Sequence, residues 1–358
     1  MARAAAAVLS ERPGIPMPMP WHRAAFDAAV ASTVPSILVY GPSGIGERPF
    51  AMALAAHWLC EAPRDSTARP CLQCASCKLV EAGNHPDLRI IEPASMAAEA
   101  EDAEADEGSG EEKGKGKTAS HAILIGQLRP LNELAQISSH RGGARVVVIH
   151  PAEAMNIAAA NALLKLLEEP PQGMRFVLLA RRLQQVSATV LSRCMRVPLP
   201  MPAAGQAAHW LEAQGVEDAA AALALAGGAP QLALDNADPV RVALSRAWLR
   251  CVTDGTPARP IAALSAARET KDIGAPQVLS WLVQWTHDLA LVKVGAAPRY
   301  YPQQAAALQR LSATMSLRAI TRLHRALVRR QRWIRHPLNP QLTLEALWCD
   351  YLQGLCAS

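Results

Sequence analysis

The sequence predicts an α/β protein, with a parallel sheet covered by helices on both faces over residues 1–201 and helices alone from 202 to the end. Apolar, β-branched runs alternate with helix-like segments between residues 37 and 197, the pattern of parallel strands joined by crossover helices. After Pro202 no strand-like run recurs. Half of the 358 residues are hydrophobic but only 4% are aromatic, so the core is expected to consist mainly of Ala, Leu, Val and Ile, a mixture that favours helices.

The N-terminal "MARAAAAVLSERPG" is too short and too soon charged for a secretory signal. No run approaches the roughly 18 apolar residues of a membrane span, so a soluble, cytoplasmic protein is expected, with no membrane partner. The first strand is read at "SILVY", residues 36–40, and a helix at "AMALAAHWL", residues 51–59. Between them "GPSGIGERPF" has the setting of a phosphate-binding P-loop, G-x-x-x-x-G-K-[ST]. Gly41 and Gly46 fit the pattern and Gly44 lies in the turn, but Glu47 and Arg48 stand where Lys and Ser or Thr belong. A carboxylate in the lysine's place repels a phosphate by several kcal/mol, on the order expected for a partly buried site. Backbone N–H groups at a helix N-terminus still attract anions, so Gly41, Gly44 and Gly46 are expected to bind ATP weakly or not at all, without hydrolysis.

Four of the eight cysteines are bunched: Cys60, Cys71, Cys74 and Cys77. In a reducing compartment such C-x-x-C spacing points to a metal rather than to disulfides. Two-residue gaps let thiolates converge, and four with no open position make a structural site, expected to hold Zn2+, with an iron-sulfur cluster as the rival. "PCLQC" also matches half of a zinc deaminase motif, but the required H-x-E is absent from the chain. A redox or zinc enzyme centred on these cysteines would need an exchangeable ligand position.

From about residue 94 to 120 the chain holds eight acidic residues and three lysines, a local net of −5 within a chain of net +5. This stretch has little to bury and reads as a disordered insertion, leaving a basic body suited to DNA or an acidic partner. The next strand, in "ARVVVIH" at 144–150, ends in His150 and Pro151, without the Asp-Glu pair that positions Mg2+ and water in P-loop ATPases. Glu153 lies further on and is read as incidental. An amphipathic helix, "NIAAANALLKLLEEPP" at 156–171, is closed by paired prolines. "RFVLLA" at 175–180 is another strand, and "TVLSRC" puts Ser192, Arg193 and Cys194 at the end of a short helical stretch.

Taken in order, "GPSGIG", the four cysteines, "EAGNHPDL", "HRGGARVVVI", "AANALLKLLEEPP" and "LSRC" resemble the delta' subunits of bacterial DNA polymerase III clamp loaders. The landmarks span residues 20–200, and a closing "NPQLTLEALWCDYL" matches more loosely. The resemblance implies an AAA+-type module at 1–201 with a zinc module near 60–77, a helical lid at 202–245 and a helical collar at 246–358. It implies a five-subunit ring, with gamma/tau ATPase subunits and a delta subunit as partners, that loads the sliding clamp onto primed DNA. In that ring this subunit is a non-catalytic stator within the DNA polymerase III holoenzyme. It further implies that Arg193, flanked by Ser192 and Cys194, reaches a neighbour's ATP as an arginine finger. Ala180 and Arg181 stand where ATPase relatives carry a polar γ-phosphate sensor. The competing reading is an active ATPase in which Arg48 replaces the P-loop lysine.

"ITRLHRALVRRQRWIRHP", 320–337, places Arg322, Arg325, Arg329 and Arg332 on one helical face, opposite Ile320, Leu323 and Leu327. This face is read as solvated or as making intersubunit salt bridges in the collar, with base stacking by Trp333 the alternative. Any DNA affinity of the isolated chain is expected to be no tighter than about micromolar at physiological salt.

Overall fold

The computed structural model describes residues 17–63, 69–96, 120–136, 139–141, 143–253, 260–334 and 339–356. Most of the acidic insertion, residues 97–119, lies outside them. The chain divides into two compact units, Glu11–Pro202 and Ala203–Ser358.

The first unit is a five-stranded parallel sheet in the order β2-β3-β4-β1-β5. The strands are β1 Ser36–Tyr40, β2 Leu88–Ile91, β3 Arg145–Ile149, β4 Met174–Ala180 and β5 Met195–Pro198. The helices, in chain order, are α1 Arg23–Ala31, α2 Glu47–Leu59, α3 Ala75–Glu81, α4 Ile125–Leu128, α5 Pro130–Gln136, α6 Ile157–Glu168 and α7 Ala188–Leu191. This is the parallel α/β architecture, with helices between the strands, expected from the sequence. Central strands β1, β3 and β4 are almost wholly buried, which is why they are continuous apolar runs. The edge strand β2 buries only Leu88 and Ile91, and its Arg89 and Ile90 are exposed. Asn156 caps α6, its side-chain oxygen accepting from Ala159 N at 2.8 Å, and the helix stops at Glu168, just before Pro170.

The second unit contains only helices among its described residues: α8 Ala204–Ala213, α9 Ala219–Leu225, α10 Pro230–Asn236, α11 Pro239–Thr253, α12 Pro260–Glu269, α13 Ala275–Lys293, α14 Ala305–Thr314, α15 Leu317–Arg330 and α16 Pro340–Cys356. Helices α8 to α10 share a small core of Ala207, Leu211, Leu223 and Ala233. They are joined to the later helices by hydrogen bonds from Gln303 to Asp218 (2.6 Å) and from Gln284 to the Leu225 carbonyl (3.4 Å). Helix α11 runs unbroken through residue 245, where the sequence reading set a boundary. Helix α15 ends at Arg330 rather than 337, and Arg332 and Trp333 lie in the turn that follows.

The core is mainly aliphatic in both units, as expected, but the aromatic residues are concentrated in this one. Trp248, Trp281, Trp285, Tyr301, Trp348 and Tyr351 are all buried together. The polar tips of Trp285, Trp348 and Tyr351 find partners, as buried indoles and phenols generally do, whereas Trp248 Nε1 is buried without one. Trp285 Nε1 donates to the Tyr351 hydroxyl at 2.9 Å, that hydroxyl donates to Val252 O at 3.1 Å, and Trp348 Nε1 donates to Thr270 Oγ1 at 2.9 Å. Among the described residues no helix is long and apolar enough to cross a membrane.

A fully buried carboxylate fixes the segment after α13. Asp288 accepts from the backbone N–H groups of Arg299 (3.0 Å), Tyr300 (2.8 Å) and Tyr301 (2.8 Å). Removing it leaves three donors without their acceptor at about 1–3 kcal/mol for a buried group. Asp288→Ala is therefore expected to cost about 3 kcal/mol or more in chemical denaturation, with Asp288→Asn, which retains one acceptor oxygen, losing less.

Candidate functional site

The glycine turn lies between β1 and α2, and it is closed by its own chain. Gly44 N–H donates to both carboxylate oxygens of Glu47, at 3.2 and 3.1 Å, and Ile45 N–H donates to Oε2 at 3.2 Å. Glu47 is the first residue of α2, so its charge also lies at the favourable end of the helix dipole. The amides that would cradle a phosphate thus bind a carboxylate. Gly41 is required by close approach, because a Cβ there would lie 2.4 Å from the Leu199 carbonyl oxygen. At Gly46 φ is +100°, and a Cβ would meet Met19 Cγ at 2.5 Å. Met19 and Trp21 line the turn, and the Trp21 indole N–H donates to Ile45 O at 3.2 Å. Beside them His22 is fully buried, edge-on to Phe50, and burial pushes its imidazole down to about 4, so it stays neutral.

At the carboxyl ends of the strands, where P-loop enzymes hold metal and water, Arg48, Glu92, His150 and Glu153 are engaged internally. Glu92, one residue beyond β2, contacts His150 Nδ1 at 3.3 Å and Arg48 Nη2 at 3.5 Å. Burial alone would raise the Glu92 carboxyl, but the His150 hydrogen bond and the Arg48 charge outweigh it and hold it low. Arg48, the proposed lysine substitute of the competing ATPase reading, is therefore turned toward Glu92. Glu153, read as incidental, accepts from Arg181 N–H at 3.1 Å and ties the end of β4 to the turn after β3. Ala180 O accepts from Gly41 N–H at 3.3 Å, so the sensor position also joins the closed turn.

The four cysteines converge as expected. Cys60 caps the end of α2, Cys71 and Cys74 lie on a tight turn in which Leu72 has φ +60°, and Cys77 is in the first turn of α3. Their sulfur atoms all lie within 4.8 Å of one another. Zinc-thiolate bonds of about 2.3 Å in a tetrahedron require sulfurs about 3.8 Å apart, so the set fits a metal. Three amides aim at the sulfurs: Cys71 N to Cys60 Sγ (3.3 Å), Cys74 N to Cys71 Sγ (3.4 Å) and Cys77 N to Cys74 Sγ (3.3 Å). N–H groups of Gln73 and Cys74 hold the Cys71 thiol down to about 6, whereas burial pushes Cys77 up. Four thiolates would saturate a tetrahedral ion and leave no position for substrate. The module is moored to the sheet through Glu61, which accepts from Arg141 Nε at 2.6 Å and from Ser76 Oγ at 3.0 Å.

Arg193 sits in the turn between α7 and β5 with 31% of its side chain exposed. Its Nε donates to Glu168 Oε1 at 2.9 Å, its Nη2 pairs with the same oxygen, and Nη1 donates to Thr189 O at 2.8 Å and Ser192 Oγ at 3.1 Å. Ser192 therefore orients the guanidinium, and its own hydroxyl donates to Thr189 O at 3.0 Å. Cys194 is buried against the sheet, where burial pushes its thiol up to about 12, which suits packing rather than reactivity.

Sequence reasoning singled out the glycines, the cysteines and Arg193, but it did not point to the contacts made by Glu92, Glu168, Met19 and Trp21 and gave Glu47 only a repulsive role. The acid at the first helical position, facing free loop amides, was the available signal for Glu47. The thiol geometry predicts one equivalent of metal per folded chain by elemental analysis. Cys60→Ser or Cys77→Ser should lose the metal and lower the unfolding temperature, and release from wild type should track unfolding. Metal exchange with substrate-like ligands, without unfolding, would contradict a closed site.

A sequence model described as "DNA polymerase III, delta subunit" matches residues 27–203. The chain is 32% identical to DNA polymerase III subunit delta' of Pseudomonas aeruginosa over 273 residues, 75% of each chain. It is also 32% identical to subunit delta' of Escherichia coli over 290 residues, 78% of each chain. A looser likeness, at 18% identity and a TM-score of 0.45, covers 92% of this chain and 99% of a DNA polymerase III gamma subunit-related protein from Thermotoga maritima. By its sequence kinship over three quarters of its length, the chain belongs to the DNA polymerase III subunit delta' family.

Proposed function

We propose that this chain is a non-catalytic clamp-loader subunit that assembles with gamma/tau ATPase subunits and a delta subunit to load a sliding clamp onto primed DNA. The observation that carries the non-catalytic part is the Glu47 carboxylate seated on the Gly44 and Ile45 amides. An intramolecular carboxylate is always present at high effective concentration, and ATP must displace it before its phosphates find the same donors. Neither a P-loop lysine nor a pair of strand-end acids is available to compensate.

In this reading the chain contributes to hydrolysis across an interface. Arg193 completes a neighbouring subunit's ATP site, where a guanidinium stabilises the charge developing on the transferring γ-phosphoryl. The residue's exposure and its short tether on a turn of the sheet support that role. The thiol cluster is read as structural Zn2+, which would staple the end of α2 to α3 and leave Lewis-acid chemistry unused. The division of the helical unit into a lid at 202–245 and a collar at 246–358 stays part of this proposal.

ATP turnover tests the proposal. The purified chain alone should be silent. Added to the ATPase and delta subunits with clamp and primed DNA, it should stimulate turnover, and Arg193→Ala should slow the site it completes on the order of 10³-fold in single-turnover assays. Turnover by the chain alone, or indifference of the mixture to Arg193, would overturn the reading.

A further inference from the structure

Helix α15 carries a row of like charge that pairs with no carboxylate among the described residues. Arg318, Arg322, Arg325 and Arg329 are all exposed, and Arg332 continues the row in the next turn. At 100° per residue the four helical arginines fall within about 60° of arc and span about 16 Å of axis. The opposite face, Ala319, Ile320, Leu323 and Leu327, is buried in the helical core, so the row's direction is fixed by packing. Among the described residues none of the five has an ion pair. The contrast is Arg330, which lies outside the row and pairs with Asp350. No Asp or Glu occurs between residues 317 and 334. Like charges three and four residues apart destabilise a helix, so the row is a cost to the isolated fold.

We propose that this face of α15 binds the phosphate backbone of nucleic acid without reading its sequence. The charge complementarity is specific in type. Guanidinium groups are weakly hydrated and match phosphate oxygens with two parallel donors, and every cation in the row is Arg. A protein partner would need an apolar centre, because interface cores are depleted of charge. The row itself is unbroken by apolar side chains and is bordered by Thr321, Ala326 and the partly exposed Val328. Trp333, 64% exposed, follows the row directly. The inference does not depend on Arg193 or on the closed glycine turn.

Fluorescence anisotropy with a labelled duplex of about 20 base pairs and an oligo-dT strand of similar length, using the full chain across a salt series, tests it. With five contacts the duplex affinity should fall on the order of 10²- to 10³-fold between about 50 and 200 mM salt. The triple change Arg322→Ala, Arg325→Ala and Arg329→Ala should flatten the log-log salt slope by about 2.7. Alanine is the best helix former, so this variant should keep its circular dichroism and unfolding temperature. The matching triple Lys variant should restore the slope. An unchanged slope in the Ala variant, or equal loss in the Lys variant, would overturn the proposal. So would an Ala variant that binds DNA as wild type does but no longer joins the ATPase subunits, an outcome that would assign the row to an acidic protein surface.

Discussion

The nucleotide-facing end of the sheet is organised by one requirement: the amides of Gly44 and Ile45, held at the positive end of α2, need an acceptor. In an active P-loop a phosphate supplies it. Here Glu47 supplies it from within the same turn. Once that carboxylate is seated, the surrounding groups have no ligand to serve and pair with each other. Arg48 turns to Glu92, His150 closes on the same carboxylate, and the Arg181 amide binds Glu153. The glycines persist for a reason unrelated to phosphate. Gly41 lets the Leu199 carbonyl approach, and Gly46 makes room for Met19.

Two further features of this unit, the thiol cluster and the turn after α7, are also held by internal contacts. The thiol cluster braces the end of α2, the same helix whose first residue fills the glycine turn. The turn after α7 holds Arg193 in a four-bond clasp with Glu168, Thr189 and Ser192. A side chain restrained in this manner needs less ordering when it meets a ligand, the general benefit of preorganisation. In the proposed reading, a closed glycine turn in one chain and a contribution to a neighbour's site are then compatible demands on a single fold.

The central strands were legible because burial on both faces leaves no room for polar alternation, and α6 because Asn156 and the Pro170–Pro171 pair mark its ends. Strand β2 was not recognised as a strand, since an edge strand of four residues with Arg89 and Ile90 exposed has neither a long apolar run nor a clean alternation. The helix boundary at 337 was missed because the arginine periodicity carries on past Arg330 into a turn that keeps the same spacing. A whole-chain aromatic fraction of 4% concealed the concentration of tryptophans in the helical unit, because composition has no spatial content. The thiol cluster was legible from spacing alone. The Glu47 contact was not, because comparing a loop with a motif shows which residue is missing and says nothing about what its replacement binds.

The most direct measurement is calorimetric titration of the full chain and of Glu47→Ala with ATP and with inorganic pyrophosphate. The closed-turn account predicts no saturable binding to wild type below about millimolar, and a gain of pyrophosphate affinity in Glu47→Ala as the freed amides regain an anion site. Micromolar ATP binding by wild type, unchanged in Glu47→Ala, would contradict it.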